Sequence, residues 1–192
     1  MKNFDFIKEL AEEIPAFHQL HAYCDKAEIF QKAFPEESAA NARKALEWLV
    51  KNHLAMANVT LAPHETLNNM LKRPQIDAFI NEDWEFEQNM RMVKKIGNYA
   101  AHTGAQQVKA NDAFICLRAL FYVATGFLYR WQAIRKMLAF DATLIPQDFT
   151  QIHASDNSEP TVSPDLTDHV SSEAINHPEP PKSQPSESLE SE

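Results

Sequence analysis

Residues 35–56, PEESAANARKALEWLVKNHLAM, decide the class of fold. Ala42, Ala45, Leu46, Leu49, Val50 and Leu54 recur every three or four residues, which sets them along one face of a helix. Proline at the head of the stretch suits a first helical turn, where its missing N–H has no partner to lose. The same period extends in both directions. Upstream, helices are expected over about 4–13, stopped by Pro15, and over 16–33, where Leu20, Tyr23, Cys24, Ala27 and Phe30 form a stripe. Downstream, short helices are expected over 63–72 and 74–80, each opened by proline, and a longer one over 84–96. The longest is expected over 111–140, with Asn111 or Asp112 as its cap and Ala113, Phe114, Leu117, Leu120, Phe121, Ala124, Phe127, Leu128, Trp131 and Leu138 facing inward.

The composition agrees. Only Gly97, Gly104 and Gly126 supply glycine, too few for the tight turns of a sheet protein, whereas good helix formers abound. No repeat occurs at solenoid periods. The expectation is an all-α fold, a single helical bundle of five to seven helices over residues 1–149.

Beyond residue 149 the chain changes character. It contains no Phe, Trp or Tyr there and is dominated by Ser, Pro, Glu and Asp. Such a stretch buries too little apolar surface to offset its ordering entropy, so 150–192 is expected to be a disordered acidic tail or linker. Of the 27 acids and 18 bases, nine and one fall in residues 151–192, which leaves 18 and 17 for the first 150. The helical part therefore has a net charge of −1, with no global argument for nucleic-acid binding; a local basic patch would have to supply one.

The first dozen residues are charged and lack an apolar run, so no signal peptide is expected. No stretch reads as the roughly 20 uninterrupted apolar residues that span a bilayer. A cytoplasmic protein without membrane association is the expectation. Cys24 and Cys116 are too few for a disulfide scaffold.

Several chemistries are excluded by motif. No glycine precedes a lysine, so the phosphate-cradling loop of nucleotide motors is missing, and the three glycines are too scattered for a dinucleotide fingerprint. Two cysteines do not make a zinc knuckle, and no HExxH occurs. His18 and His21 lie three apart on a helix but lack an obvious acidic third ligand. Neither metal nor cofactor is expected.

The segment that could carry chemistry is Arg91-Met-Val-Lys-Lys-Ile-Gly-Asn-Tyr-Ala-Ala-His102. A helix continuing through Gly97 would place Arg91, Lys95, Asn98 and His102 at i, i+4, i+7 and i+11, along one face. A base, an amide and an imidazole in line can hold a phosphodiester, with His102 as proton donor or acceptor. The structural alternative carries more weight: Asn98 turns or caps the chain, and His102 bonds into the bundle where Ala100 and Ala101 allow close packing. Arg43 and Glu47, at i and i+4, read as an intrahelical ion pair, or as a clamp if buried against the Gly97–His102 segment. Arg130, Arg135 and Lys136 around Trp131 could touch nucleic acid, but solvated charges over a core tryptophan fit them as well.

Three elements in order carry a family resemblance: Ala42-Arg-Lys-Ala-Leu-Glu47, Lys94-Lys-Ile-Gly-Asn-Tyr-Ala-Ala-His102, and Asp112-Ala113 leading into Leu117-Arg-Ala-Leu-Phe121. With the opening Asn3-Phe-Asp-Phe-Ile7, they resemble the helical domain at the N-terminus of type I restriction R subunits, over about residues 3–140. In that family the domain precedes a helicase motor and accompanies a nuclease. The resemblance implies a non-catalytic accessory or docking role among restriction or defence subunits, with Arg43, Glu47, Lys94, Lys95, Gly97, Asn98 and His102 as its motif residues. The domain is also similar to the HEPN group of helical bundles, some of which are metal-independent ribonucleases using an Arg shortly before a His. Here Gly97 stands where that Arg commonly sits. Arg91 lies farther upstream, and Lys94 and Lys95 lack the bidentate guanidinium. Protein subunits are the partners implied. A stand-alone ribonuclease acting through His102 is the alternative, and a homodimer a further possibility.

Overall fold

The computed structural model describes residues 2–101 and 107–146. Within them the chain is all-helical: α1 (Asp5–Glu13), α2 (Phe17–Phe30), α3 (Pro35–Met56), α4 (Leu67–Met70), α5 (Pro74–Ile80), α6 (Trp84–Ala101) and α7 (Ala110–Arg130), then one 3-10 turn, Ala142–Leu144. His102 and residues 147–192 lie outside the described residues, and with them the expectation about the acidic tail.

The core is built around α7, most of whose side chains from Ala113 to Leu128 are buried. Helix α3 packs on α7 and α6, α6 on α7, and α2 on α3, with α1 against α2. Directions follow from ring and side-chain contacts. Gly97, late in α6, meets Arg43, early in α3, whereas Phe86, early in α6, meets Phe127, late in α7. Helix α6 is therefore antiparallel to both α3 and α7. By length and composition α7 alone among the described helices could cross a membrane, with a mean hydropathy of 1.4 over its best window. Two thirds of that window is buried against the protein itself, as befits the central helix of a bundle.

Several boundaries differ from the periodicity. Helix α7 stops at Arg130 rather than 140. Gln132 adopts φ 61°, and the amide of Gln132 donates to the Tyr129 carbonyl at 2.9 Å and that of Ala133 to Leu128 at 2.9 Å. This is the six-to-one and five-to-two pair of a Schellman motif, closed by a glutamine where glycine is usual. The apolar residues beyond it still pack inward without a helix: Phe140 rests edge-on against Phe114 and Phe121. At the other end of α7 the cap residue is Lys109, and Asp112 reaches back to accept its amide N–H at 3.1 Å. Helix α6 runs five residues past 96. Helix α4 is a single turn, opened by Thr66, whose hydroxyl accepts from the Asn69 amide.

Cys24 and Cys116 are buried, unpaired thiols; burial pushes the Cys116 thiol up to about 12.

Candidate functional site

Because α6 continues through Gly97, Arg91, Lys95 and Asn98 share one face of it. What each touches separates them. Arg91 is exposed and pairs with Glu87 of its own helix. Lys94 turns toward α4, its Nζ donating to Asn68 Oδ1 at 2.9 Å. Lys95 is exposed. Asn98 points instead at α3, where its Oδ1 accepts from Arg43 Nε at 2.8 Å.

Gly97 explains how the two helices come so close. A β-carbon there would fall onto the Arg43 β-carbon and lie 2.9 Å from the Ala39 carbonyl oxygen. Only a residue without a side chain lets α6 cross α3 at this point. Arg43 thus crosses the face of α6, gives one N–H to Asn98, and sets its Nη1 3.8 Å from Glu47, which also holds Lys51 at 2.7 Å. Arg43 and Glu47 are each a little over a quarter exposed, so the group is a half-buried clamp between two helices. The sequence reading offered this clamp and an isolated intrahelical pair as alternatives, and the geometry is that of the clamp. Gly97, Asn98, Arg43 and Glu47 are brought together; among the described residues Arg91, Lys94 and Lys95 are not joined to them by a side-chain hydrogen bond or ion pair.

A second cluster, joining Arg130 to side chains 44 to 51 positions earlier in the chain, has no local signature in the sequence. At the opposite end of α6 the Arg130 guanidinium stacks 4.2 Å over the Phe86 ring and 5.5 Å from that of Phe79, while its Nη2 bonds Asp83 at 2.8 Å. The Phe86 amide N–H, with help from Arg130, holds the Asp83 carboxyl below its ordinary range. Gly126 makes room, since a β-carbon there would strike the Phe86 ring. Arg130 is therefore held by Asp83 and the two rings. Beside it, Trp131 Nε1 approaches His53 Nδ1 at 3.4 Å, and burial lowers the pKa of His53. A neutral imidazole is the form that can accept there.

His18 is exposed and His21 half-buried, its pKa lowered by burial. Among the described residues, no three His, Cys, Asp or Glu side chains gather where they could hold a metal ion. Glu28 is fully buried: its Oε1 accepts the Asn3 amide N–H at 3.0 Å and Asn3 Nδ2 at 2.7 Å, while Oε2 lacks a hydrogen-bond partner. Asn3 Nδ2 also reaches the Asp141 carbonyl at 2.9 Å, and the Asp141 amide returns to Asn3 Oδ1 at 2.8 Å. Glu28 thus holds Asn3 to α2, and Asn3 in turn holds Asp141.

Compared with known proteins, the chain matches no family model, no curated protein and no solved structure.

Proposed function

We propose that this chain is a non-catalytic interaction module, a counterpart of the helical domain at the front of type I restriction R subunits, and that it docks other subunits of a restriction or defence assembly. The observation that supports this reading is the Arg43–Asn98 hydrogen bond over Gly97. It spends the most distinctive residues of the resemblance on joining α3 to α6. A phosphodiester site would instead need a guanidinium and an amide facing solvent together with the imidazole. Of the bases on that face, Arg91 is paired with Glu87, and Lys95 is exposed but lacks the bidentate guanidinium.

The test is affinity purification of the tagged protein from its native host at native expression, followed by mass spectrometry. Recovery of modification, specificity or motor subunits is the expected result, and recovery of the chain alone overturns the reading. In parallel, purified protein and His102→Ala are incubated with structured and unstructured RNA. No cleavage is expected from either. Cleavage by the parent chain that vanishes in His102→Ala makes it a ribonuclease instead.

A further inference from the structure

A trough of about 600 Å³ runs between α2 and α3 on the outer side of the clamp, within the size range of ligand pockets. Its walls are aromatic. Tyr23 comes from α2 and Trp48 from α3, both half-buried, and the Trp48 ring is braced by Phe17 at 5.8 Å and Trp131 at 6.5 Å between centroids. Its rim is cationic, because Lys44 and Lys51 follow Trp48 around α3 at i−4 and i+3. Two amides complete it. Gln19 Nε2 donates to the Tyr23 hydroxyl at 3.0 Å and Asn52 Nδ2 to the Trp48 carbonyl at 2.8 Å, and each NH₂ has a second hydrogen to give. Glu47, the one carboxylate in the lining, is already engaged by Lys51 and Arg43.

We propose that this trough binds an extended acidic peptide segment of a partner protein. Its carboxylates would meet Lys44 and Lys51, an apolar or aromatic side chain would lie against Tyr23 and Trp48, and its main chain would bond Gln19 and Asn52. The proposal rests on the reading of the chain as an interaction module, and names the surface and the chemistry of the partner. Charge decides between peptide and nucleic acid. A strand of phosphates is held by a continuous cationic track. The trough has two lysines with a carboxylate between them, on a helical part whose net charge is −1. One or two carboxylates match that surplus.

The test selects a random dodecapeptide display library in parallel against the full-length chain and a Lys44→Glu/Lys51→Glu double variant of verified helicity. The parent chain is expected to enrich peptides with one or two Asp or Glu beside a Phe, Tyr, Trp or Leu, and the double variant to lose at least tenfold in recovery. Lys44→Ala, which leaves the Lys51–Glu47 pair intact, guards against loss of fold and lowers affinity about fivefold, the scale of one exposed ion pair. Titrated into ¹⁵N-labelled protein, the best peptide moves the Trp48 indole and the Gln19 and Asn52 side-chain amides. No enrichment, enrichment of neutral or basic peptides, equal recovery by parent and variants, or shifts elsewhere overturns the proposal. Hexauridylate binding the same resonances more tightly than the peptide replaces it with a nucleic-acid site. Assembly subunits recovered from the host alongside an empty peptide selection retire the trough alone. The reverse pair of results retires the restriction assembly and keeps the trough.

Discussion

Gly97 and Glu28 each sit where burial sets the outcome of a substitution, in opposite directions. Alanine normally stabilises a helix interior by about 1 kcal/mol over glycine. At Gly97 the added carbon meets the Arg43 side-chain root and the Ala39 carbonyl, neither of which can swing away. Overpacking of that kind costs about 1–3 kcal/mol, so Gly97→Ala is expected to lower the melting temperature by several degrees; an unchanged or higher value would show that α6 does not press on α3 there. Glu28 makes a prediction about pH. Burial raises its pKa, against the Asn3 and Phe4 amides and the Asn3 side chain, which pull it down. The folded state thus favours the protonated acid. Its contribution to stability is full below the ordinary glutamate range and declines as pH rises through the elevated folded value. Glu28→Gln keeps an acceptor for Asn3 and removes the buried charge. Thermal melts should show the variant gaining on the parent chain between pH 4 and pH 8, and parallel profiles would contradict the shift.

At the scale of the element, the informative feature is how α7 ends. Apolar residues continue at helical spacing through Trp131 and Leu138, yet the helix stops because Gln132 enters the left-handed region. A β-carbon there costs roughly 1 kcal/mol. Gln132→Gly should therefore stabilise the protein by about 0.5–1 kcal/mol, read as a higher denaturation midpoint with an unchanged slope. Destabilisation would mean that the Gln132 side chain makes contacts worth more than the strain. Helix α3 ends in the same way, on Asn58 at φ 57°, with the Val59 amide on the Leu54 carbonyl. Asparagine tolerates that conformation better, and its presence marks the stop more openly in the sequence.

The whole molecule is closed by its first few residues. Phe4 is 1% exposed and meets Phe121 edge-on at 5.4 Å, and Asn3 ties Glu28 to Asp141. Deleting residues 1–4 takes a core aromatic from α7 and leaves Glu28 buried without its donors. Loss of a buried phenylalanine alone costs about 3–5 kcal/mol, a large part of the stability of a domain this size. Such a truncation should melt far below the parent chain and bind a hydrophobic dye; retention of the parent melting temperature would show the N-terminal segment to be dispensable.

How much of this was legible beforehand follows from where each signal resides. The sequence by itself determined the helical class and the positions of α3, α5 and α7's buried face, because a 3.6-residue period and a shortage of glycine are properties of adjacent residues. It also showed Gly97 and Asn98 to be unusual, without saying for what. Their partner, Arg43, is 55 residues from Asn98 along the chain. No local spacing encodes that meeting. Only the crossing of α6 over α3 turned the glycine into a contact point and Asn98 into an acceptor, while leaving Arg91 and Lys95 outside. The end of α7 was hidden for the same reason: packing of Trp131 and Phe140 back onto the bundle outweighs a modest left-handed strain at Gln132, and that balance is struck between elements distant in sequence.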